Sequence, residues 1–156
     1  MTQEELSETL KDMGRAIGMC DKFYDRWIDG MDIDTMLDFY VQGLDFCIEK
    51  DFPPLDFIRR NFSMEDLHRH HIYLDESVNL EGESGTYIFL GHCTGRVHFG
   101  DFCIAGVYIR HSSDLKLLSD GFSRVFVSLY EDGGCDAVAQ DSFNLHIYDR
   151  RKKKEG

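Results

Sequence analysis

The residues with the clearest capacity for chemistry are the run 68–71, His-Arg-His-His. Histidine and carboxylate side chains bind zinc when they converge on the ion at about 2.0–2.2 Å. On a helix only His68 and His71 of this run share a face, and the other four histidines lie at no spacing that completes a site. The run therefore predicts a helix C-terminus, where imidazoles interact favourably with the helix dipole, and we expect no metal and no cofactor.

Signatures of other reactions are weak. The run 82–85, Gly-Glu-Ser-Gly, is one residue short of a nucleophile elbow and falls in a predicted loop. Cys93 follows His92, but a cysteine in this context is more often a small buried hydrophobe. Asp101, Asp120 and Asp141 would stack in a repeated structure, where corner aspartates usually bond to backbone N–H groups. No residue is predicted to be catalytic; a small metal-dependent enzyme using residues 68–71 is kept as an alternative.

Carboxylates dominate the N-terminal part of the chain. Residues 1–56 hold 14 Asp or Glu against five Lys or Arg, a net charge of −9, and the whole chain has −12. The apolar residues of the predicted helices occupy the inner faces, so the carboxylates fall on outward faces by elimination. Four more follow between positions 75 and 83 with no base among them. The predicted partner-binding residues are Glu4, Glu5, Glu8, Asp12, Asp21, Asp25, Asp29, Asp32, Asp34, Asp38, Asp75, Glu76, Glu81 and Glu83.

This charge restricts the partners that we expect. A strongly acidic body repels nucleic acid and anionic membrane, and attracts basic protein surfaces. A dense array of carboxylates can also compete with nucleic acid for the groove of a nucleic-acid-binding enzyme. The alternative is that the charge serves only solubility.

The elements that must position these residues are helices first and strands second, which is the α+β order. Thr2 and Glu5 form a capping box before a helical stripe that includes Leu6 and Leu10. Further helices are predicted near 21–30, from an N-cap at Asp34 to about 48, after Pro54, and briefly from 63. Residues 72–74 read as a strand, and residues 76–84 as a polar loop.

Three similar segments follow, at 96–110, 116–128 and 137–148. Each pairs two short apolar strands with a corner that contains aspartate and a nearby phenylalanine, and the aspartates fall 19 and 21 residues apart. A fixed period near 20 indicates stacked units that bury a shared core. We predict a short parallel β-solenoid preceded by an N-terminal helical cap; an antiparallel meander is the alternative.

Composition supports one globular chain with three regions. Apolar residues make up 42% and aromatic residues 13%, enough to form a core. The boundaries are predicted at 1–71 for the helical region, 72–149 for the β-repeats and 150–156 for a basic tail. The five cysteines are dispersed, and the acidic N-terminus is unlike a signal peptide, so we expect reduced thiols in the cytoplasm. No apolar run is long enough to span a membrane.

The C-terminal part resembles short parallel β-solenoids of the pentapeptide-repeat and bactofilin kinds. The resemblance is carried by the Asp-Phe corners and by the strands 107–109, 125–127 and 145–147. The strict five-residue period of pentapeptide repeats is absent. The aromatic segment 43–62 also looks like small uncharacterised proteins of gut bacteria and their mobile elements. The solenoid resemblance implies one role, since some acidic pentapeptide-repeat proteins mimic nucleic acid and block an enzyme that binds it.

The lead hypothesis is a non-enzymatic acidic interaction protein that binds a basic partner protein and inhibits a nucleic-acid-binding enzyme. Direct binding to nucleic acid or membrane is not expected. A structural protein that self-associates through the solenoid ends, at least as a homodimer, is the second hypothesis.

Overall fold

The computed structural model describes residues 1–141 and 144–151. The chain divides into two compact units, Met1–His70 and the residues from His71 onward. Helices occupy the first unit and parallel strands the second, which confirms the α+β class and the β-solenoid. Arg150 and Arg151 of the predicted basic tail are described, and the rest of the tail lies outside the described residues.

Six helices make up the first unit among the described residues. Local sequence fixes several of their ends: the Thr2 hydroxyl accepts a hydrogen bond from the Glu5 N–H at 3.2 Å, and the Ser63 hydroxyl one from Asp66 at 3.1 Å. The helices are α1 (Gln3–Ala16), α2 (Asp21–Arg26), α3 (Ile33–Gln42), α4 (Leu44–Lys50), α5 (Leu55–Asn61) and α6 (Met64–Arg69).

Two details of the helical predictions are wrong. Asp32, not Asp34, caps α3, because its carboxylate accepts the Thr35 N–H at 2.7 Å. The predicted third helix is also two helices, since the chain breaks at Gly43 between α3 and α4. Apolar residues continue on both sides of Gly43, so periodicity alone did not reveal the break.

A buried serine organises the middle of the helical unit. Ser7 is fully buried on α1, and its hydroxyl donates to the Ile28 carbonyl at 3.3 Å. The indole N–H of Trp27 donates to the Ser7 carbonyl at 3.0 Å, and the Met31 N–H donates to the Ser7 hydroxyl at 3.3 Å. These bonds hold the connection between α2 and α3 against α1.

Nine strands form two parallel sheets in the second unit, within the part of the chain that the structure describes. One sheet has the order β1-β3-β5-β7-β9 and the other β2-β4-β6-β8. All described pairings are parallel, so the antiparallel meander is wrong. The strands are β1 (Ile72–Leu74), β2 (Ser77–Gly82), β3 (Gly85–Leu90), β4 (Thr94–Phe99), β5 (Ile104–Ile109), β6 (Asp114–Ser119), β7 (Arg124–Leu129), β8 (Gly134–Ala139) and β9 (Leu145–Asp149).

We call each circuit of the chain through both sheets a coil. Val107 pairs with Val127, and Val127 with Ile147, so a coil contains 20 residues. Along each strand alternate side chains point inward, as in β7, where Val125, Val127 and Leu129 are buried. The inward side chains of both sheets form one hydrophobic core. Stacking of coils is therefore what buries the apolar half of every strand.

Two details of the solenoid predictions are also wrong. The predicted loop 76–84 contains β2, whose Val78 is buried while polar residues alternate with it. The three corner aspartates do not align, because Asp101 and Asp141 fall at the position of Gly121, one residue after Asp120. No aspartate ladder therefore forms; the expected bond from a corner aspartate to a backbone N–H is confirmed at Asp101, which accepts the Phe122 N–H at 3.1 Å. The Phe143 of the predicted third repeat lies outside the described residues.

One series of corners shares a left-handed residue. Asp75, Gly91, His111 and Glu131 occupy equivalent positions with φ between 50° and 70°. The three residues other than glycine bond to neighbouring coils through their side chains: the Glu131 carboxylate accepts the His111 N–H at 2.8 Å, and His111 Nδ1 accepts the Gly91 N–H at 3.0 Å. The corners thus satisfy backbone groups that the sheets leave unpaired.

Candidate protein-interaction surface

Thirteen of the fourteen predicted partner-binding carboxylates are exposed, and Glu76 is half-buried. Ten of them belong to the helical unit. Glu4, Glu5, Glu8 and Asp12 lie on α1, Asp21 and Asp25 on α2, Asp34 and Asp38 on α3, and Asp29 and Asp32 between α2 and α3.

Three of these carboxylates line one cleft. Glu4 and Glu8 are one helical turn apart on α1, and Asp29 and Gly30 complete a cleft of about 280 Å³. The bonds from Ser7 and a hydrogen bond from the Gln3 amide to the Gly30 carbonyl, 3.2 Å, fix its wall. No lysine or arginine lines this cleft, and the three carboxylates have no hydrogen bond or ion pair among the described residues. We call Glu4, Glu8 and Asp29 the acidic cleft.

Other predicted carboxylates form ion pairs or hydrogen bonds within the helical unit. Asp21 pairs with Arg15 at 2.7 Å, and Asp34 with Arg69 at 3.1 Å. Hydrogen bonds from His70 and then Arg69 lower the pKa of Asp34, and bonds to Thr35 lower the pKa of Asp32. These side chains hold structure together and are less available to a partner.

The histidine run separates in the structure. His68 is exposed on α6, and His70 contacts Asp34 at 2.8 Å and Asp38 at 3.1 Å. The ring of His71 packs edge-on against Tyr87 in the second unit, with centroids 4.5 Å apart. Within residues 1–141 and 144–151, no three His, Cys, Asp or Glu side chains are arranged to hold a metal ion.

The thiol of Cys93 is fully buried and donates to the Leu90 carbonyl at 3.3 Å. Burial raises the pKa of this thiol, which disfavours the reactive thiolate. Cys93 therefore packs as a small hydrophobe. The run 82–85 joins β2 to β3 in the solenoid rather than a strand to a helix.

Three of the four predicted carboxylates of the second unit bond within the solenoid, and the fourth residue, Glu83, does so only through its backbone N–H. Asp75 accepts the His92 N–H at 2.9 Å, and Glu76 accepts the Leu74 N–H at 3.3 Å. Glu81 contacts His98 at 2.7 Å. Glu83 is exposed beside Tyr87, whose hydroxyl accepts the Glu83 N–H at 2.7 Å.

A carboxylate–imidazole–carboxylate group centred on His98 was not predicted. His98 Nδ1 faces Glu81 at 2.7 Å, and its Nε2 faces Asp120 at 3.0 Å. A neutral imidazole has one N–H, so two carboxylates favour the doubly protonated ring. Hydrogen bonds to Asp120 and Glu81 accordingly raise the pKa of His98. The sequence did contain a signal for this group: Glu81 and Asp120 lie 17 and 22 residues from His98, and each separation is close to the length of one coil.

Comparison with protein-family models, curated proteins and solved structures finds no match to this chain. The structure defines the class as a chain of short helices followed by a two-sheet parallel β-solenoid. The solenoid architecture predicted from the sequence is confirmed, and no comparison supports the resemblance to pentapeptide-repeat or bactofilin proteins. No helix among the described residues has the length and apolar character needed to cross a bilayer.

Proposed function

We propose that this protein is a non-enzymatic interaction protein whose helical unit binds a basic surface of a partner protein. The observation that supports it is the acidic cleft, where three carboxylates converge and no lysine or arginine is among the lining residues. Like charges held together raise the local negative potential, and a lysine or arginine side chain relieves it. Glu5, Asp12 and Asp25 are further exposed carboxylates on α1 and α2.

The partner that we propose is an enzyme that binds nucleic acid. Its groove is lined by bases that normally neutralise phosphates, and a dense array of carboxylates offers the same charge. The protein would then inhibit by occupying the groove. Association would be fast at low salt and would weaken as exposed charges are screened.

The test is affinity capture from a bacterial lysate at low salt and at 0.5 M salt, followed by DNA competition on each captured protein. We expect a basic DNA-binding protein that is released by 0.5 M salt and displaced by duplex DNA. The triple variant Glu4→Gln, Glu8→Gln, Asp29→Asn should lose the capture.

A charge-matched control variant distinguishes the effect of the cleft carboxylates from the effect of overall net charge. The variant Glu49→Gln, Asp132→Asn, Asp136→Asn removes three exposed carboxylates elsewhere and changes the net charge equally. It should retain the capture. Equal loss with both variants would overturn the cleft as the binding site, and a partner that DNA does not displace would overturn charge mimicry.

A second candidate function is self-assembly through the solenoid end. Among the described residues, β8 and β9 are edge strands, and Val138 and Ile147 are about half exposed there. An edge strand with exposed apolar residues is a template for pairing with another chain. Light scattering of the purified protein tests it: dimers or filaments without a partner support assembly, and a monomer at all concentrations opposes it.

A further inference from the structure

Two phenylalanines are exposed at successive corners of the solenoid. Phe102 is 79% exposed and Phe122 is 72% exposed. Pairing of Ile104 with Arg124 and of Phe99 with Ser119 puts the two rings at equivalent positions, one coil apart. The rings are parallel within 4°, with centroids 5.6 Å apart. They form a preorganised aromatic surface.

The fold gains little from these rings. Phe102 has φ +68°, a left-handed conformation that bulky side chains rarely adopt. The corner is bonded through its backbone: the Phe102 N–H donates to the Phe122 carbonyl at 3.2 Å, and the Phe122 N–H donates to Asp101 at 3.1 Å. Asparagine or glycine would suit that backbone better. Strain and exposed apolar area together point to a role in binding.

The neighbouring groups define the ligand. Ile104, two residues after Phe102, is 63% exposed, and the Asp101 carboxylate, in the same corner as Phe102, accepts the N–H of Phe122 in the next coil. The described residues of these corners, 100–103, 120–123 and 140–141, include three aspartates and no lysine or arginine. Asp120 pairs with His98, and the exposed Asp101 adds negative charge at the corner that carries Phe102. Arg124, the nearest base in the sequence, pairs in register with Ile104 as the first residue of β7, so it lies beside the apolar surface.

Arginine fits this combination better than any other side chain. Its guanidinium is planar, stacks on aromatic rings and pairs with carboxylates, whereas lysine is a strongly hydrated point charge. We propose that Phe102, Phe122 and Asp101 form a binding site for an arginine side chain of a partner protein. This site belongs to the solenoid and does not rest on the proposed role of the acidic cleft.

The experiment is a ¹H–¹⁵N NMR titration of the full chain with hexa-arginine and, separately, hexa-lysine, at 150 mM salt. We expect hexa-arginine to shift the amide signals of residues 101–104 and 121–124. Replacing both rings, in Phe102→Asn with Phe122→Ser, should weaken hexa-arginine binding at these signals by about five-fold or more. Hexa-lysine should shift them less.

Two control variants test whether binding is specific to these corners. Ile28→Asn removes an exposed apolar side chain from the helical unit and should leave the titration unchanged. The cleft variant Glu4→Gln, Glu8→Gln, Asp29→Asn should abolish shifts on α1 but not at the corners. The proposal would be overturned if the cleft variant abolished the shifts at the corners. It would also be overturned if those shifts persisted after both rings were replaced.

Stability distinguishes a binding role from a structural one. If the rings serve binding, Phe102→Asn relieves the left-handed backbone, and the Tm of the double variant should equal or exceed that of the parent. A lower Tm with unchanged hexa-arginine affinity would show that the rings are structural. Concentration-dependent shifts of the corner signals without peptide would assign the surface to a second copy instead, and overturn the arginine site.

Discussion

Carboxylates serve different purposes in the two compact units. In the solenoid, Glu131 and Glu81 bond to groups on neighbouring coils, so their charges are part of the fold. On the helical unit, Glu4, Glu8 and Asp29 have no hydrogen bond or ion pair among the described residues, although they converge on one cleft. The two units therefore differ in how much of their negative charge is available to a partner. Net charge alone does not identify a binding surface; the partners of each carboxylate do.

The largest expected effect is at Glu131, which pairs with Arg110 at 2.9 Å. Burial alone would raise the pKa of Glu131, but hydrogen bonds from the His111 N–H and from Arg110 hold it below its usual range. The variant Glu131→Ala leaves the buried Arg110 without this carboxylate and should cost about 2–4 kcal/mol in the free energy of unfolding. Urea unfolding measures it. Asp132→Ala, at the next residue, is the control; equal losses would show that Glu131 has no special role.

A smaller loss is expected at Ser7, the residue that shapes the acidic cleft. The variant Ser7→Ala removes the hydroxyl bonds to Ile28 and Met31, and should cost about 1–3 kcal/mol in the free energy of unfolding. It should also weaken partner capture, because fewer hydrogen bonds then hold Asp29 beside α1. Thr9→Ala on the same helix is the control. Capture that survives Ser7→Ala in a folded protein would show that the shape of the cleft is unimportant.

The pH dependence of stability should reveal the group at His98. Because the folded protein raises the pKa of His98, its contribution to stability is complete below the unfolded value of about 6.5 and is lost as pH rises through the folded pKa. Glu81 and Asp120 are the charged groups that face this ring, and Arg96 pairs with Glu81. His98→Gln should flatten the Tm profile above pH 6. A profile identical to that of the parent would contradict the assignment.

The smallest effect on stability is expected at Glu8. Its carboxylate has no partner among the described residues and lies one turn from Glu4 and from Asp12. Glu8→Gln should change the free energy of unfolding by less than about 0.5 kcal/mol, and relief of repulsion favours a slight increase. Thermal unfolding measures it. A clear loss of stability would mean that Glu8 is structural, and would remove the contrast between the units.

Much of the fold could be predicted from the sequence because its signals are local or periodic. The β-repeats were recognisable from strands such as 125–127, and the α+β order from the change of pattern at Ile72. β2 was missed because Val78 and Leu80 are its only large apolar residues, too few to show alternation among polar neighbours. The predicted alignment of the corner aspartates was wrong because Asp120 is displaced by one residue relative to Asp101. The pairing of strands that are distant in the sequence sets this displacement.

The candidate site was predictable only in part. Exposure of the carboxylates followed from the apolar faces of the helices. The cleft did not, because Asp29 reaches α1 through the bonds between Trp27 and Ser7, twenty residues apart. The rings of Phe102 and Phe122 were noticed as part of a repeat, but only the structure gives their exposure and the left-handed backbone at Phe102.

The most direct test of the acidic cleft as the binding surface is hydrogen exchange on the captured complex, compared with the free protein. We expect slower exchange along α1 and in residues 27–38, which carry the acidic cleft. The charge-matched control variant should give the same pattern. If α1 exchanges at the same rate in both states while β8 and β9 become protected, the acidic cleft is not the binding surface, and the protein instead associates through the end of its solenoid.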